Sequence, residues 1–230
     1  MKLNSQIKAF TLVELLVVIT IIATLAGIAF PVYNTVQEKG KQTKALTHAK
    51  QLGLSCKVYA SDYDGAFPKY VDPTATTLTE ATTANEAFTS LISGGYIPDE
   101  ALFFSQGSAW STKAQDNNKK LDAGENNYAY FSGISDTDTP GWPIIVDGWN
   151  KGKRGIYAAD PKVTGGIWKG KKAVIIKVDM SGKLETLNAT YEAMGNTTGS
   201  TKKNVMLEEA GTGGAAGWLT GIKALEPVTE

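Results

Sequence analysis

The chain has 230 residues, with 23 basic and 23 acidic side chains and a single cysteine, Cys56. Balanced charge argues against a nucleic-acid-binding surface, which needs a basic excess, and one cysteine excludes an internal disulfide. The residues beyond the apolar amino-terminal segment are enough for one modest domain, whose core must hold by packing alone.

The first element is a predominantly apolar segment from Phe10 to Phe30, in which Glu14 is the one charged residue. About 20 residues rising about 1.5 Å each cover the hydrocarbon core of a bilayer, so residues 10–30 are predicted to form a transmembrane helix. A carboxylate there costs about 2.5–3.5 kcal/mol at a helix centre and therefore indicates a functional residue. Lys2 and Lys8 precede the segment, which predicts a cytoplasmic amino terminus and an exported remainder.

The residues around Glu14, Ala9-Phe10-Thr11-Leu12-Val13-Glu14-Leu15, resemble the processing site of the type IV pilin and type II secretion pseudopilin family. The resemblance implies that residues 1–9 are a leader peptide, that a prepilin peptidase cuts between Ala9 and Phe10, and that the new amino terminus of Phe10 is methylated. It departs from the family at Ala9, where glycine is usual. The cut would create an ammonium group four residues from Glu14, so Glu14 is predicted to pair with it and to direct assembly.

The amino-terminal segment has two other interpretations. An ordinary secretory signal has an apolar region of about 7–15 residues with a small-x-small cut site at its far end. Here the apolar run is longer, and residues 23–27 are the only stretch that could serve. A plain single-pass anchor for an unrelated periplasmic domain would leave Glu14 unexplained.

Residues 31–64 are predicted to continue the same helix as an amphipathic second half. Pro31 removes a backbone donor, which predicts a bend near it, and Asp64-Gly65 followed by Pro68 should end the helix. The stretch from Tyr59 to Pro68 also resembles the turn after the helix of major, filament-building pseudopilins. Apolar residues at three- and four-residue spacing should face a domain: Leu46, Ala49, Leu52, Gly53, Cys56, Tyr59, Ala60 and Tyr63.

Two chemically distinctive side chains lie on this helix. Cys56 falls on the apolar stripe and is predicted to be a small buried side chain rather than a reactive thiol. His48 is the only histidine of the chain. It is predicted to be a surface or interface imidazole rather than a metal ligand or a catalytic base.

Residues 65–230 are predicted to form a globular domain. A short helix should begin at Asn85, as its N-cap, and end at Gly94-Gly95. From Asn127 onward, β-type runs separated by Gly and Pro turns indicate an antiparallel sheet: 128–131, 144–146, 155–158, 172–178 and 184–187. A hairpin turn is predicted at 180–183. Residues 204–210 could form a helical turn, and no role is assigned to the loop 105–126 or to the tail 188–230.

A sheet packed against one long helix belongs to the α+β class. This arrangement matches the pilin-like fold that the resemblance implies, in which the first half of the helix spans the membrane.

The sequence contains no catalytic constellation. No histidine pairs with a nucleophile, no Gly-rich phosphate loop follows a strand, and no Cys/His spacing suits a metal, so the chain is predicted not to be an enzyme and to need no cofactor. Calcium takes several carboxylate and carbonyl oxygens, and some major pseudopilins hold calcium in a loop of this region. The spacing matches no calcium loop, so solvated turn residues are the preferred interpretation of the acidic candidates: Asp136, Asp138, Asp147, Asp160 and Asp179.

The resemblance implies a structural subunit of a pilus-like filament, most simply a major-type pseudopilin of a type II protein secretion system. Its expected partners are further copies of itself, the prepilin peptidase, minor pseudopilins, an inner-membrane assembly platform and the membrane, without nucleic acid. It would reside as a single-pass protein of the inner membrane with a periplasmic carboxyl-terminal domain, before assembly into a periplasmic or extracellular filament. The alternatives are a type IV pilin for adhesion or motility, and a membrane-anchored periplasmic binding or enzymatic domain.

Overall fold

The computed structural model describes residues 10–114, 116, 118–196, 202–204, 206 and 222–229. These residues form a long helix and an antiparallel sheet, which confirms the α+β class. The helices are α1 (Leu12–Asp62), α2 (Ala84–Ser93) and a 3₁₀ helix (Glu100–Phe103). The strands are β1 (Tyr128–Ser132), β2 (Pro143–Asp147), β3 (Lys172–Lys177), β4 (Gly182–Thr186), β5 (Met194–Asn196), β6 (Lys202–Asn204) and β7 (Lys223–Leu225).

The chain divides into two compact units, one ending at Gly40 and the other beginning at Lys41. In the first unit every large apolar side chain from Phe10 to Val36 is at least 46% exposed. Among the described residues, α1 is the one helix long and apolar enough to cross a membrane. Pro31 lies inside α1, which is helical on both sides of it, and the bend stays a prediction.

The second unit begins with the amphipathic part of α1, which is buried along the predicted stripe. Ala49, Leu52, Cys56 and Ala60 are fully buried in the core. Gly53 lies where α1 contacts the end of the sheet, since an added Cβ would stand 3.1 Å from Cγ2 of Ile176 and 3.0 Å from Sδ of Met180. The predicted apolar stripe is therefore the buried face of this part of α1.

The main sheet has the strand order β4-β3-β2-β1-β7, and each neighbouring pair is antiparallel. Alternate residues of β1 face opposite sides. Tyr128 donates its hydroxyl to the carbonyl of Ala45 in α1 at 3.0 Å, and the ring of Tyr130 lies 5.1 Å from that of Phe88 in α2. On the other side, the rings of Phe131 and Trp149 are 5.9 Å apart. Both faces of β1 are therefore covered, which explains why all five of its residues are buried.

The end of α1 is close to its predicted position. Gly65 adopts φ +81° and donates its N–H to the carbonyl of Ala60 at 2.8 Å. An added Cβ at Gly65 would stand 2.7 Å from a carboxylate oxygen of Asp136, so both the left-handed conformation and the close approach of the following loop favour glycine there.

Three local predictions were wrong. Residues 155–158 are not a strand, because Gly155 has φ +71° and only Ile156 forms a bridge, to Glu192. The N-cap of α2 is Thr83, whose hydroxyl accepts from the N–H of Glu86 while the carboxylate of Glu86 accepts from Thr83. At 204–210, Asn204 ends strand β6 instead of starting a helical turn, and residues 207–210 lie outside the described residues.

Candidate functional site

The amino end of α1 is closed by a reciprocal pair, Thr11 and Glu14. The Thr11 backbone N–H and hydroxyl donate to Oε2 of Glu14 at 2.9 and 2.8 Å. The Glu14 N–H donates to the Thr11 hydroxyl oxygen at 3.2 Å. This is a capping box, in which the residue before the helix and the third helical residue satisfy each other's backbone donors.

The capping box gives Glu14 a structural role that the sequence interpretation missed, although the Thr-x-x-Glu spacing was visible. The carboxylate has partners within its own subunit, so it is not an isolated charge in apolar surroundings. Polar groups further along the helix are also satisfied locally. The hydroxyls of Thr20 and Thr24 donate to the carbonyls of Leu16 and Thr20 at 2.7 and 2.8 Å. This segment can therefore enter a medium without water.

Phe10 is exposed beside the capping box, with 70% of its surface accessible. Ala9, the other residue of the predicted cut, and the leader 1–9 lie outside the described residues. Their roles, and the methylation of Phe10, stay predictions from the resemblance.

The acidic side chains considered for calcium are each engaged locally. Asp136 lies 3.6 Å from the ammonium of Lys57. The carboxylates of Asp138, Asp160 and Asp179 accept from nearby backbone N–H groups of Ser135, Lys162 and Ser181. Among the described residues, no three His, Cys, Asp or Glu side chains form a group that could hold a metal. These residues do not fit a calcium site.

Asp147 is not a loop residue as predicted, because it ends strand β2 and is 1% exposed. Its Oδ2 accepts from the indole N–H of Trp168 and from the backbone N–H of Val174, both at 2.7 Å, while Oδ1 is buried without a hydrogen bond. Burial raises the pKa of Asp147 to about 7, although its two donors act in the opposite direction. Asp147 is therefore a structural carboxyl group that titrates near neutrality.

Cys56 is fully buried, as predicted. Burial raises the pKa of its thiol, which keeps it protonated and poorly nucleophilic. His48 is half-buried and lines a groove beside α1. The groove could not be predicted from the sequence, because its far wall comes from residues more than forty positions away from the helix residues that line it.

Comparison with known proteins gives a family match for the amino-terminal segment. Residues 4–30 match the family model described as the prokaryotic N-terminal methylation motif. The chain is 38% identical over 63 residues to the type IV major pilin protein PilA of Myxococcus xanthus (strain DK1622). That match covers 27% of this chain and 29% of the relative, and no solved structure matches the chain. The chain is therefore similar to a type IV major pilin over a minor part of each protein, and the matched motif is confined to the amino-terminal segment.

Proposed function

We propose that this chain, which carries the prepilin-type methylation motif at residues 4–30, is a structural subunit of a pilin-type filament and not an enzyme. The observation that supports this most directly is the apolar surface of α1, whose large side chains from Phe10 to Val36 are all exposed. Such a surface needs an apolar partner. A bilayer supplies one before assembly, and the same helices of neighbouring subunits supply one afterwards.

Glu14 gives this apolar interface its register. In a filament core with little water, a buried carboxylate costs several kcal/mol unless a cation compensates it. After cleavage before Phe10, the methylated amino terminus is such a cation. A neighbouring subunit at the correct axial position brings its amino terminus to the carboxylate of Glu14. At any other axial position the carboxylate has no cation to pair with. The capping box satisfies the same carboxylate while the subunit waits in the membrane.

The partners follow from this route. A prepilin peptidase removes residues 1–9 and methylates Phe10, the subunit stays in the inner membrane with its carboxyl-terminal domain outside, and an inner-membrane platform adds it to the filament base. Minor pseudopilins would join the same structure in a secretion system. In this proposal the chain itself uses no metal or cofactor, and the methyl group on Phe10 comes from a methyl donor that the peptidase uses.

The system that uses the filament has two candidates. The major pseudopilin of a type II secretion system is favoured by the Tyr59–Pro68 stretch, which resembles the turn of filament-building pseudopilins, and by the lack of a cysteine pair. A type IV pilin is favoured by the type IV major pilin to which residues of this chain are similar. Deleting the gene separates them, because the first loses protein secretion and the second loses adhesion or surface motility.

The test of the proposed function compares Glu14→Ala with Thr11→Ala in the native host. Both variants lose the capping box, which costs about 1 kcal/mol of helix stability, but only Glu14→Ala removes the carboxylate. We expect membrane insertion of Glu14→Ala to be unchanged or improved and its filament assembly to fail or slow sharply. Thr11→Ala should still assemble.

Sheared-filament yield is measured at matched subunit abundance, and cleavage before Phe10 is followed by intact mass. Normal filaments from Glu14→Ala would contradict the assembly role of the carboxylate. Equal loss in both variants would assign the effect to helix capping instead.

A further inference from the structure

A groove of about 600 Å³ opens between α1 and the chain around the 3₁₀ helix. Its volume lies within the range of about 300–1,000 Å³ that is typical of small-ligand sites. Positions three or four residues apart on α1 share one face, and that face supplies a polar wall from Lys44, His48, Gln51 and Ser55. The opposite wall is largely apolar and includes Ile97, Pro98, Ala101, Leu102 and Phe104.

Charged side chains of both signs line the groove. Lys44 and Lys113 line it together with one carboxylate, that of Asp99. Asp99 also caps the 3₁₀ helix, where its Oδ1 accepts from the N–H of Ala101 at 2.8 Å. Lys44 on the polar wall therefore suits a ligand with one negative charge.

His48 adds a titratable donor to the same wall. Its Nδ1 atom is buried and makes no hydrogen bond. Burial lowers the pKa of His48, and Lys44 lowers it further, whereas the carbonyls of Phe104 and Leu102 and the charge of Asp99 raise it. The imidazole is therefore neutral at pH 8, and an anion bound beside it would favour the imidazolium form.

We propose that this groove binds a small organic carboxylate, whose charged group pairs with Lys44 and His48 while its apolar body lies against Leu102 and Phe104. An inorganic anion would leave most of the groove and its apolar wall unused. The site is separate from the exposed apolar surface of α1, so binding does not depend on filament formation.

The experiment uses the full chain in neutral detergent micelles and 4-fluorophenylacetate as the probe. Its fluorine signal reports binding directly, and 4-fluorophenylacetamide is the matched uncharged compound that reveals partition into micelles. We expect saturable binding of the carboxylate, at least tenfold weaker binding of the amide, and tighter carboxylate binding at pH 5.5 than at pH 8. Because the chain has one histidine, its imidazole resonance should move during the same titration.

The variant Lys44→Gln should weaken carboxylate binding by about tenfold, as expected for the loss of one charge-assisted contact. Lys50→Gln is the matched control, because Lys50 lies on the same helix beside Gly182 and outside the groove. His48→Gln should remove the dependence on pH. Equal binding of acid and amide, or equal affinity in Lys44→Gln and Lys50→Gln, would overturn the proposal.

Discussion

The indole N–H of Trp149 donates to Oε1 of Glu226 at 2.8 Å, and the backbone N–H of Gly152 donates to the same oxygen at 3.2 Å. The backbone carbonyl of Glu226 in turn accepts from the N–H of Ala84 at 2.9 Å. One residue directly after β7 thus joins the loop that follows β2 to the start of α2. The carboxyl-terminal segment is an integral part of the fold of the second unit.

Glu226→Ala should therefore lower the free energy of unfolding by about 1.5–3 kcal/mol, because it leaves a buried indole donor without its charged acceptor. Urea unfolding of the full chain in micelles, followed by tryptophan fluorescence, measures this. Glu185→Ala is the control, since Glu185 pairs with Lys183 at the surface at 2.8 Å and such pairs contribute about 1 kcal/mol or less. Equal losses of unfolding free energy in the two variants would show that the hydrogen bond to Trp149 contributes no more than a surface ion pair.

Asp147 should make stability fall as the pH rises. Its pKa is about 7 in the folded chain against an ordinary value of 3.8. The stability that the protonated carboxyl group contributes is therefore fully present below pH 3.8 and is lost as the pH rises through 7. Each pH unit in that window costs up to about 1.4 kcal/mol. Asp147→Asn keeps an uncharged oxygen that can accept from Trp168 and Val174. The midpoint of unfolding should then vary less between pH 4 and pH 8 than in the unmodified chain.

The control for Asp147 is Asp160→Asn, at an exposed carboxylate that accepts from the N–H of Lys162 at 2.9 Å. It should leave the pH profile as in the unmodified chain. A profile for Asp147→Asn that still falls between pH 4 and pH 8 would mean that another group carries the linkage.

Processing at Ala9–Phe10 should be visible in the mass of the native protein. The motif at residues 4–30 predicts loss of residues 1–9 and one added methyl group on Phe10, both read from intact mass and amino-terminal fragment spectra. Ala9→Leu should block the cut, because a small residue is needed there. A mature chain beginning after residue 26, or a native chain that is never cut, would contradict the proposed prepilin-type processing.

Deletion of residues 1–33 should leave a soluble, monomeric domain that unfolds cooperatively. The second compact unit begins at Lys41, and the buried apolar core begins at Ala45, so the apolar half of α1 contributes nothing to it. Sedimentation should give a monomer, and circular dichroism should show both helix and strand. Aggregation at all concentrations, or helix without strand, would be incompatible with this architecture.

The parts of the fold that were predictable are those with strong local periodicity. The stripe through Ala49, Cys56 and Ala60 has helical spacing and is buried as expected. The runs at 172–178 and 184–187 correspond to β3 and β4, and the turn between them is held by the bond from the Met180 N–H to the carbonyl of Lys177 at 2.9 Å.

The features that the sequence did not predict are of two kinds. In one, two neighbouring residues could each play the same role; in the other, a residue depends on contacts with residues far away in the sequence. Asn85 and Thr83 are both good N-cap residues, and only Glu86 in the capping box favours Thr83. Asp147 resembles a polar end of a strand in sequence, yet Trp168 folds over it and buries it. The local sequence at residues 223–225 does not predict a strand, because this segment is a strand only through its pairing with β1.

That pairing has a consequence for when the domain can fold. Tyr130 of β1 is paired with Leu225 of β7, so the five-stranded sheet cannot be completed until nearly a hundred further residues have been synthesised. Long-range strand pairing is also slow to form. If the domain is exported as proposed, its main sheet would be completed only after β7, a strand of three residues, has been added.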